Sequence, residues 1–188
     1  MKLLSILRHA KSSWEDSSLE DHDRPLNKRG ARDAPRMGNL IREQGLVPDT
    51  ILSSTARRAR DTALAVAAAA GFPDEVRLTR SLYGASPDTC LGVVRELPDT
   101  TRHAMIVGHN PTLEELVALL VDETHIMPTG ALAVVELPIE TWRDLDPLPR
   151  GSLRALWRPR ELGQIRSGDP AHPVHPVHFS VPGGKGDS

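Results

Sequence analysis

The chain has 188 residues, with 23 Lys and Arg against 25 Asp and Glu and a formal net charge of -2. That balance excludes a protein built to hold nucleic acid or an anionic membrane through bulk charge. The length fits one domain around one core. Cys90 stands alone, which excludes an internal disulfide and fits a reducing compartment, where it reads as a small packing residue. No apolar run approaches the roughly 20 residues of a membrane helix, and no cationic-then-apolar secretory pattern opens the chain. A cytoplasmic protein with no nucleic-acid or membrane partner is expected; oligomeric state is not legible. Aromatic residues make up only 3%, so the core must come from Leu, Val, Ile and Ala.

Residues 3–7 (LLSIL) predict a first strand buried on both faces, ending abruptly in Arg8-His9-Ala10. Residues 11–24 are polar and read as too hydrophilic to pack. The stretch 25–30 leads into a helix reaching about Gln44, with Met37, Leu40 and Ile41 at helical spacing and Gly45 as its C-terminal cap. Residues 49–53 predict a second strand, running out into Ser53-Ser54-Thr55, and residues 56–70 an alanine-rich helix stopped by Gly71 and Pro73. A third strand is expected at 76–78 and a helix at 87–97. The fourth strand, 102–107, opens on Arg102-His103, read as a solvated entrance, and closes on Gly108-His109-Asn110-Pro111 before a helix at 112–121. Two strand-like runs, 131–137 and 152–157, are expected to pair at a sheet edge.

Strands alternating with helices predict an α/β fold with a mainly parallel sheet covered on both sides. From Arg160 onward the sequence loses periodicity and is expected to be disordered. His172, His175 and His178 recur there every third residue. Such a tract takes up metal adventitiously, but no dedicated metal site is expected because nothing fixes the ligand geometry.

In open α/β sheets ligands bind beyond the carboxyl ends of the strands. Three predicted strand exits carry polar clusters: Arg8 and His9; Ser53 and Ser54, with Arg57, Arg58 and Arg60 one turn on; and Gly108, His109 and Asn110. A parallel sheet brings them to one edge, where two arginines, two histidines and a helix N-terminus suit a phosphoryl group. The chemistry this allows is in-line attack of His9 on phosphorus. Arg8, one helix arginine and His109 would hold the equatorial oxygens without a metal or cofactor. At least two of Arg57, Arg58 and Arg60 fit a solvated helix face, and His109 alone would fit a helix cap. Gly108 is expected to be small so that backbone can approach the ligand, and Pro111 to start the following helix.

The motifs Arg8-His9-Ala10-Lys11-Ser12, Asp23-Arg24-Pro25-Leu26-Asn27-Lys28-Arg29-Gly30, the run from Ser53 to Ala63 and Val107-Gly108-His109-Asn110-Pro111 resemble the histidine phosphatase superfamily. That superfamily is also called phosphoglycerate-mutase-like, and the likeness is to its small SixA-type branch. The resemblance implies a three-layer α/β/α sandwich over residues 1–160, with 161–188 as a tail outside it. It makes His9 the phosphorylated nucleophile, Arg8 its partner on the same loop, and His109 the second histidine. It also selects Arg58, which directly precedes an alanine, as the phosphate-binding helix arginine.

Two departures stand out. Ala10 replaces the common glycine. The stretch Ser81-Leu82-Tyr83-Gly84-Ala85-Ser86 lacks the glutamate general acid that many members carry. General acid help is worth about 10²–10⁴ for an alkoxide leaving group, so its absence favours protein phosphohistidine as substrate. A carboxylate of the polar loop (Glu15, Asp16, Glu20, Asp21 or Asp23) is the available replacement, although Asp23 also suits a structural role at the Arg24-Pro25 turn. Small phosphomonoesters are the alternative substrate, and a noncatalytic phosphate-binding module is the alternative class. A mutase fits less well because it needs a closed site, and a metal hydrolase because no carboxylate lies at ligand spacing beside either histidine.

Overall fold

Strand β1 (Lys2–Arg8) shows why the sheet is covered on both sides. Successive side chains point to opposite faces of a strand, and here both faces are apolar. Leu4 and Ile6 enter one cluster of buried residues and Leu7 the other. The computed structural model describes residues 1–146 and 151–163.

The six strands run in the order β3-β2-β4-β1-β5-β6, with β2 (Thr50–Ser54), β3 (Arg77–Thr79), β4 (His103–Gly108), β5 (Leu132–Leu137) and β6 (Ser152–Trp157). β1, β2, β3 and β4 are mutually parallel, and β5 and β6 are antiparallel to their neighbours. The expected edge pair is therefore present, with β5 seated between β1 and β6. Helices α1 (Lys28–Glu43) and α2 (Arg57–Ala70) cover the face carrying Leu7, Met105 and Val107. Helices α3 (Pro87–Arg95) and α4 (Thr112–Val121) cover the face carrying Leu4, Ile6 and Ile106. The result is the mainly parallel three-layer arrangement that the alternation of signals implied. Cys90 is buried on the inner side of α3.

Parallel pairing of β1 with β4 puts Leu7 beside Val107 and Arg8 beside Gly108, and β4 with β2 puts Val107 beside Ser53. The three polar strand exits therefore meet at one sheet edge. Asn27 caps α1 by accepting from the Gly30 N–H, and Gly30 packs its backbone on Lys11: a Cβ there would stand 2.2 Å from the Lys11 carbonyl oxygen.

The structure corrects three readings. The 11–24 stretch is mostly exposed as expected but packs near its two ends: Ser12 and Arg24 are buried, Arg24 donates to Ser12 Oγ and to the Ser13 carbonyl, and its guanidinium stacks on the exposed Trp14. Charge did not prevent the burial of Arg24 because each of its three guanidinium nitrogens found an acceptor. His103 is not a solvated entrance; it is buried, its ring lies 2.8 Å from Ser5 Oγ, and only Arg102 is exposed. Pro111 precedes α4 as its cap residue instead of opening its first turn.

The described chain continues past Arg160, and Leu162 packs against the α1–α2 side of the core. His172, His175 and His178 lie outside the described residues.

Candidate active site

His9 leaves β1 with its backbone N–H bonded to the Gly108 carbonyl, and the next amide, Ala10, donates to Thr62 Oγ1 at 2.9 Å. The same hydroxyl donates to the Arg58 carbonyl at 2.6 Å. One buried threonine of α2 thus ties the His9 loop to the helix turn that presents Arg58.

The His9 ring is 8% exposed, and its Nδ1 lies 2.7 Å from the Ala10 carbonyl oxygen. A carbonyl only accepts, so Nδ1 carries the proton. Burial drives the imidazole pKa down to about 3; His109, Arg58 and Arg8 push the same way, and the Ala10 carbonyl opposes them. A neutral ring protonated at Nδ1 holds its free lone pair on Nε2, the form a nucleophile needs.

The His109 ring stands 5.2 Å from that of His9, centroid to centroid, with the planes 51° apart. Burial lowers its pKa to about 4, and Arg58 and Arg8 add to the effect. Its Nε2 lies 2.9 Å from Ser54 Oγ, and that oxygen already accepts the Ala56 N–H. The arrangement that satisfies Ser54 has its hydroxyl donating to Nε2, which leaves the His109 proton on Nδ1. Nδ1 is buried and has no hydrogen-bond partner among the described residues, and the same holds for Arg8 Nε. Arg8 meanwhile donates through its terminal nitrogen to the Met127 carbonyl at 2.8 Å.

Arg58 is buried, and its guanidinium reaches back to Asp21, donating to the backbone carbonyl and, at 2.9 Å, to the carboxylate. Tyr83 donates its hydroxyl to the same carboxylate oxygen at 3.0 Å, and Arg24 to the other at 2.9 Å. Burial opposes ionisation of Asp21, but these hydrogen bonds outweigh it and bring the carboxyl down to about 2. A cavity of about 260 Å³ adjoins, lined by Leu82, Ala85, Cys90, His109, Asn110 and Leu113 among others.

Arg8, His9, Arg58 and His109, singled out from four separate stretches of sequence, are thus drawn together. Arg57 and Arg60 are not; they pair with Asp61 outside the cluster. Sequence reasoning missed Tyr83, Thr62 and the Met127 carbonyl, and left Asp21 as one of five loop carboxylates. Of those five, Asp23 is exposed, and among the described residues its carboxylate bonds only the neighbouring His22.

Residues 4–86 match the model of the histidine phosphatase superfamily (branch 1). An uncharacterized protein of Mycobacterium tuberculosis is 34% identical over 152 residues, which span 75% of this chain and 92% of that one. A solved structure proposed to be phosphohistidine phosphatase SixA of Nakamurella multipartitia superposes with a TM-score of 0.75 at 29% identity, covering 84% of this chain and 96% of the other. Its proposed counterpart from Agrobacterium tumefaciens gives 0.71 at 29% identity, covering 84% and 97%. The chain belongs to the histidine phosphatase superfamily, and as an enzyme it is a phosphatase of that class.

Proposed function

We propose that this phosphatase works through a covalent phosphohistidine on His9 and that its substrate is phosphohistidine on another protein. The observation that carries the reading is the pair of buried donors without partners among the described residues, Arg8 Nε and His109 Nδ1, beside a neutral His9 whose free lone pair is on Nε2. Unpartnered buried donors are costly, and a phosphoryl oxygen is the acceptor both would satisfy.

In this reading Nε2 attacks phosphorus as the bond to the leaving group breaks. Arg8, Arg58 and His109 take the equatorial oxygens, so their charge and N–H dipoles replace a metal. The ring becomes cationic as the P–N bond forms, and the Ala10 carbonyl stabilises the Nδ1–H. Water then attacks phosphorus, the P–N bond breaks, and His9 returns neutral with phosphate released.

Proton supply favours the substrate class. Asp21 is held ionised by Arg24, Arg58 and Tyr83, and both histidines are neutral at pH 7. An alkoxide would have to leave largely unaided. A phosphohistidine protonated on its other ring nitrogen departs as neutral imidazole and needs no acid from the enzyme. The proposed SixA neighbours from Nakamurella and Agrobacterium, at 29% identity, point the same way.

The test is hydrolysis of p-nitrophenyl phosphate in EDTA by the native chain and by His9→Ala, followed by kcat/KM on phosphohistidine and phosphoserine peptides of the same sequence. Turnover abolished in the variant and a strong preference for phosphohistidine are expected. Turnover that survives in His9→Ala would remove the covalent mechanism, and an equal rate on phosphoserine would remove the substrate assignment.

A further inference from the structure

A second concavity lies against the catalytic loop and plays no part in the chemistry above. It has a volume of about 490 Å³ and is walled by α1, residues 128–129 and residues 158–163. Five arginines line it: Arg29, Arg32 and Arg36 from one face of α1, with Arg158 and Arg160 from the segment after β6. Positions 29, 32 and 36 recur at the three- and four-residue spacing that stacks side chains on one helix face. Only two acids join them. Asp33 is buried between Arg32 at 3.0 Å and Arg36 at 3.5 Å, and Glu161 pairs with Arg158 at 3.4 Å. Among the described residues Arg29 hydrogen-bonds only Thr129 Oγ1, at 3.4 Å, and both Arg29 and Arg160 are exposed. A chain with net charge -2 thus concentrates an excess of three positive charges in one groove.

The groove is separated from His9 by a single loop. Residues 128–129 form its wall, while the flanking residues belong to the site. The Met127 carbonyl accepts from Arg8 and from Asn110, and the Gly130 N–H bonds the Arg8 and His9 carbonyls. A Cβ at Gly130 would stand 2.8 Å from Pro159 Cγ and 4.0 Å from Ala10 Cα, so groove wall and catalytic loop touch there.

We propose that this groove is the docking site for an acidic segment of the protein whose phosphohistidine is hydrolysed. The proposal rests on the protein-phosphohistidine reading and adds how such a partner is held. Guanidinium forks pair with carboxylates in bidentate geometry, and complementary charge at an exposed rim mainly speeds encounter and fixes register. A small phosphoester would fill only the His9 site. An acidic stretch a few residues from the phosphorylated side chain fills both. The chain's own residues 164–188 are a poor match, because Asp169 and Asp187 are balanced by Arg166 and Lys185.

The experiment measures fluorescence anisotropy of a labelled oligo-glutamate peptide of about a dozen residues on the full chain and on Arg29→Glu/Arg160→Glu. The probe carries no phosphate, so the result is independent of whether His9 acts on phosphohistidine. Saturable binding that weakens about tenfold or more in the double variant, and with salt, is expected, with p-nitrophenyl phosphate turnover unchanged. Three results would overturn the proposal. They are equal binding by both proteins or by neither, tighter binding of a single-stranded oligonucleotide of the same charge, and displacement of the probe by a 164–188 peptide at equal concentration.

Discussion

The carboxylate of Asp21 and the guanidinium of Arg58 meet at 2.9 Å, so the arginine assigned to the phosphoryl group already holds an anion of the protein itself. Two further donors, Arg24 and Tyr83, fix that anion in place. The Tyr83 hydroxyl is itself held above its ordinary pKa, by burial and by its bond to Asp21. The relationship makes Asp21 a competitor for Arg58 as much as an orienter of it.

Replacing Asp21 by Asn removes a negative charge next to the place where a phosphate dianion must bind. Inhibition of p-nitrophenyl phosphate hydrolysis by inorganic phosphate should then tighten several-fold, about the worth of one like charge a few ångströms away in a partly solvated site. A steady-state inhibition constant checks this. A constant that stays the same or rises would show that Asp21 serves only to aim Arg58.

Thr62 offers a second handle because its hydroxyl serves two masters, the Ala10 N–H at 2.9 Å and the Arg58 carbonyl at 2.6 Å. The residue is 1% exposed. Thr62→Val keeps the shape and leaves the Ala10 amide buried without its acceptor, a cost of about 1–3 kcal/mol. Urea unfolding should show that loss, and turnover should fall as well, since Ala10 is also the residue whose carbonyl fixes the His9 tautomer. Full activity in a destabilised variant would separate the two roles.

What was legible in the sequence divides by the range of the interaction. Strands and helices along the chain followed from local periodicity, and the convergence of Arg8, His9 and His109 followed from parallel pairing, which sends β1 and β4 out at the same edge. Which helix arginine faces inward required the family pattern, because Arg57, Arg58 and Arg60 look alike in a local reading. Asp21 was out of reach because the course of its loop is set by pairings such as Arg24 with Ser12 and Trp14, made across gaps with no periodic signal, and Tyr83 and the Met127 carbonyl enter from other loops that carry no periodic signal either. His103 misled for a related reason. Its partner, Ser5, sits on another strand 98 residues earlier, so its burial could not be read from its polar neighbours.

Gly30 is a test of how tightly the loop after His9 is held. Alanine there would drive a methyl group into the Lys11 carbonyl, 2.2 Å from the ideal Cβ, and the obstacle is backbone that cannot swing aside. The gain in helix propensity from Gly to Ala, about 1 kcal/mol, should be overwhelmed. A lower melting temperature for Gly30→Ala is expected in calorimetry, accompanied by reduced turnover because Lys11 continues the loop that carries His9, the proposed nucleophile. A melting temperature that rises would mean the loop relaxes freely around the methyl group.

Three buried histidines set the acid limit of the fold. Burial lowers His9 to about 3, His103 to about 4 and His109 to about 4, against 6.5 for an exposed imidazole. Between pH 6.5 and about 4 the unfolded chain therefore binds protons that the folded chain refuses. Stability is full above 6.5 and falls with pH through that window, each histidine adding a slope of up to about 1.4 kcal/mol per pH unit. Asp21, depressed to about 2, adds a loss of the same sign only below the ordinary carboxylate range. Thermal unfolding from pH 7.5 to 4.5 should show the melting temperature dropping steeply below 6.5. His103→Gln, which removes one of the three titrations and lies away from the His9 loop, should reduce the slope by about a third. A melting temperature flat to pH 4.5 would mean that these rings accept protons within the folded protein near the ordinary imidazole pKa, and burial would then not be what keeps His9 neutral.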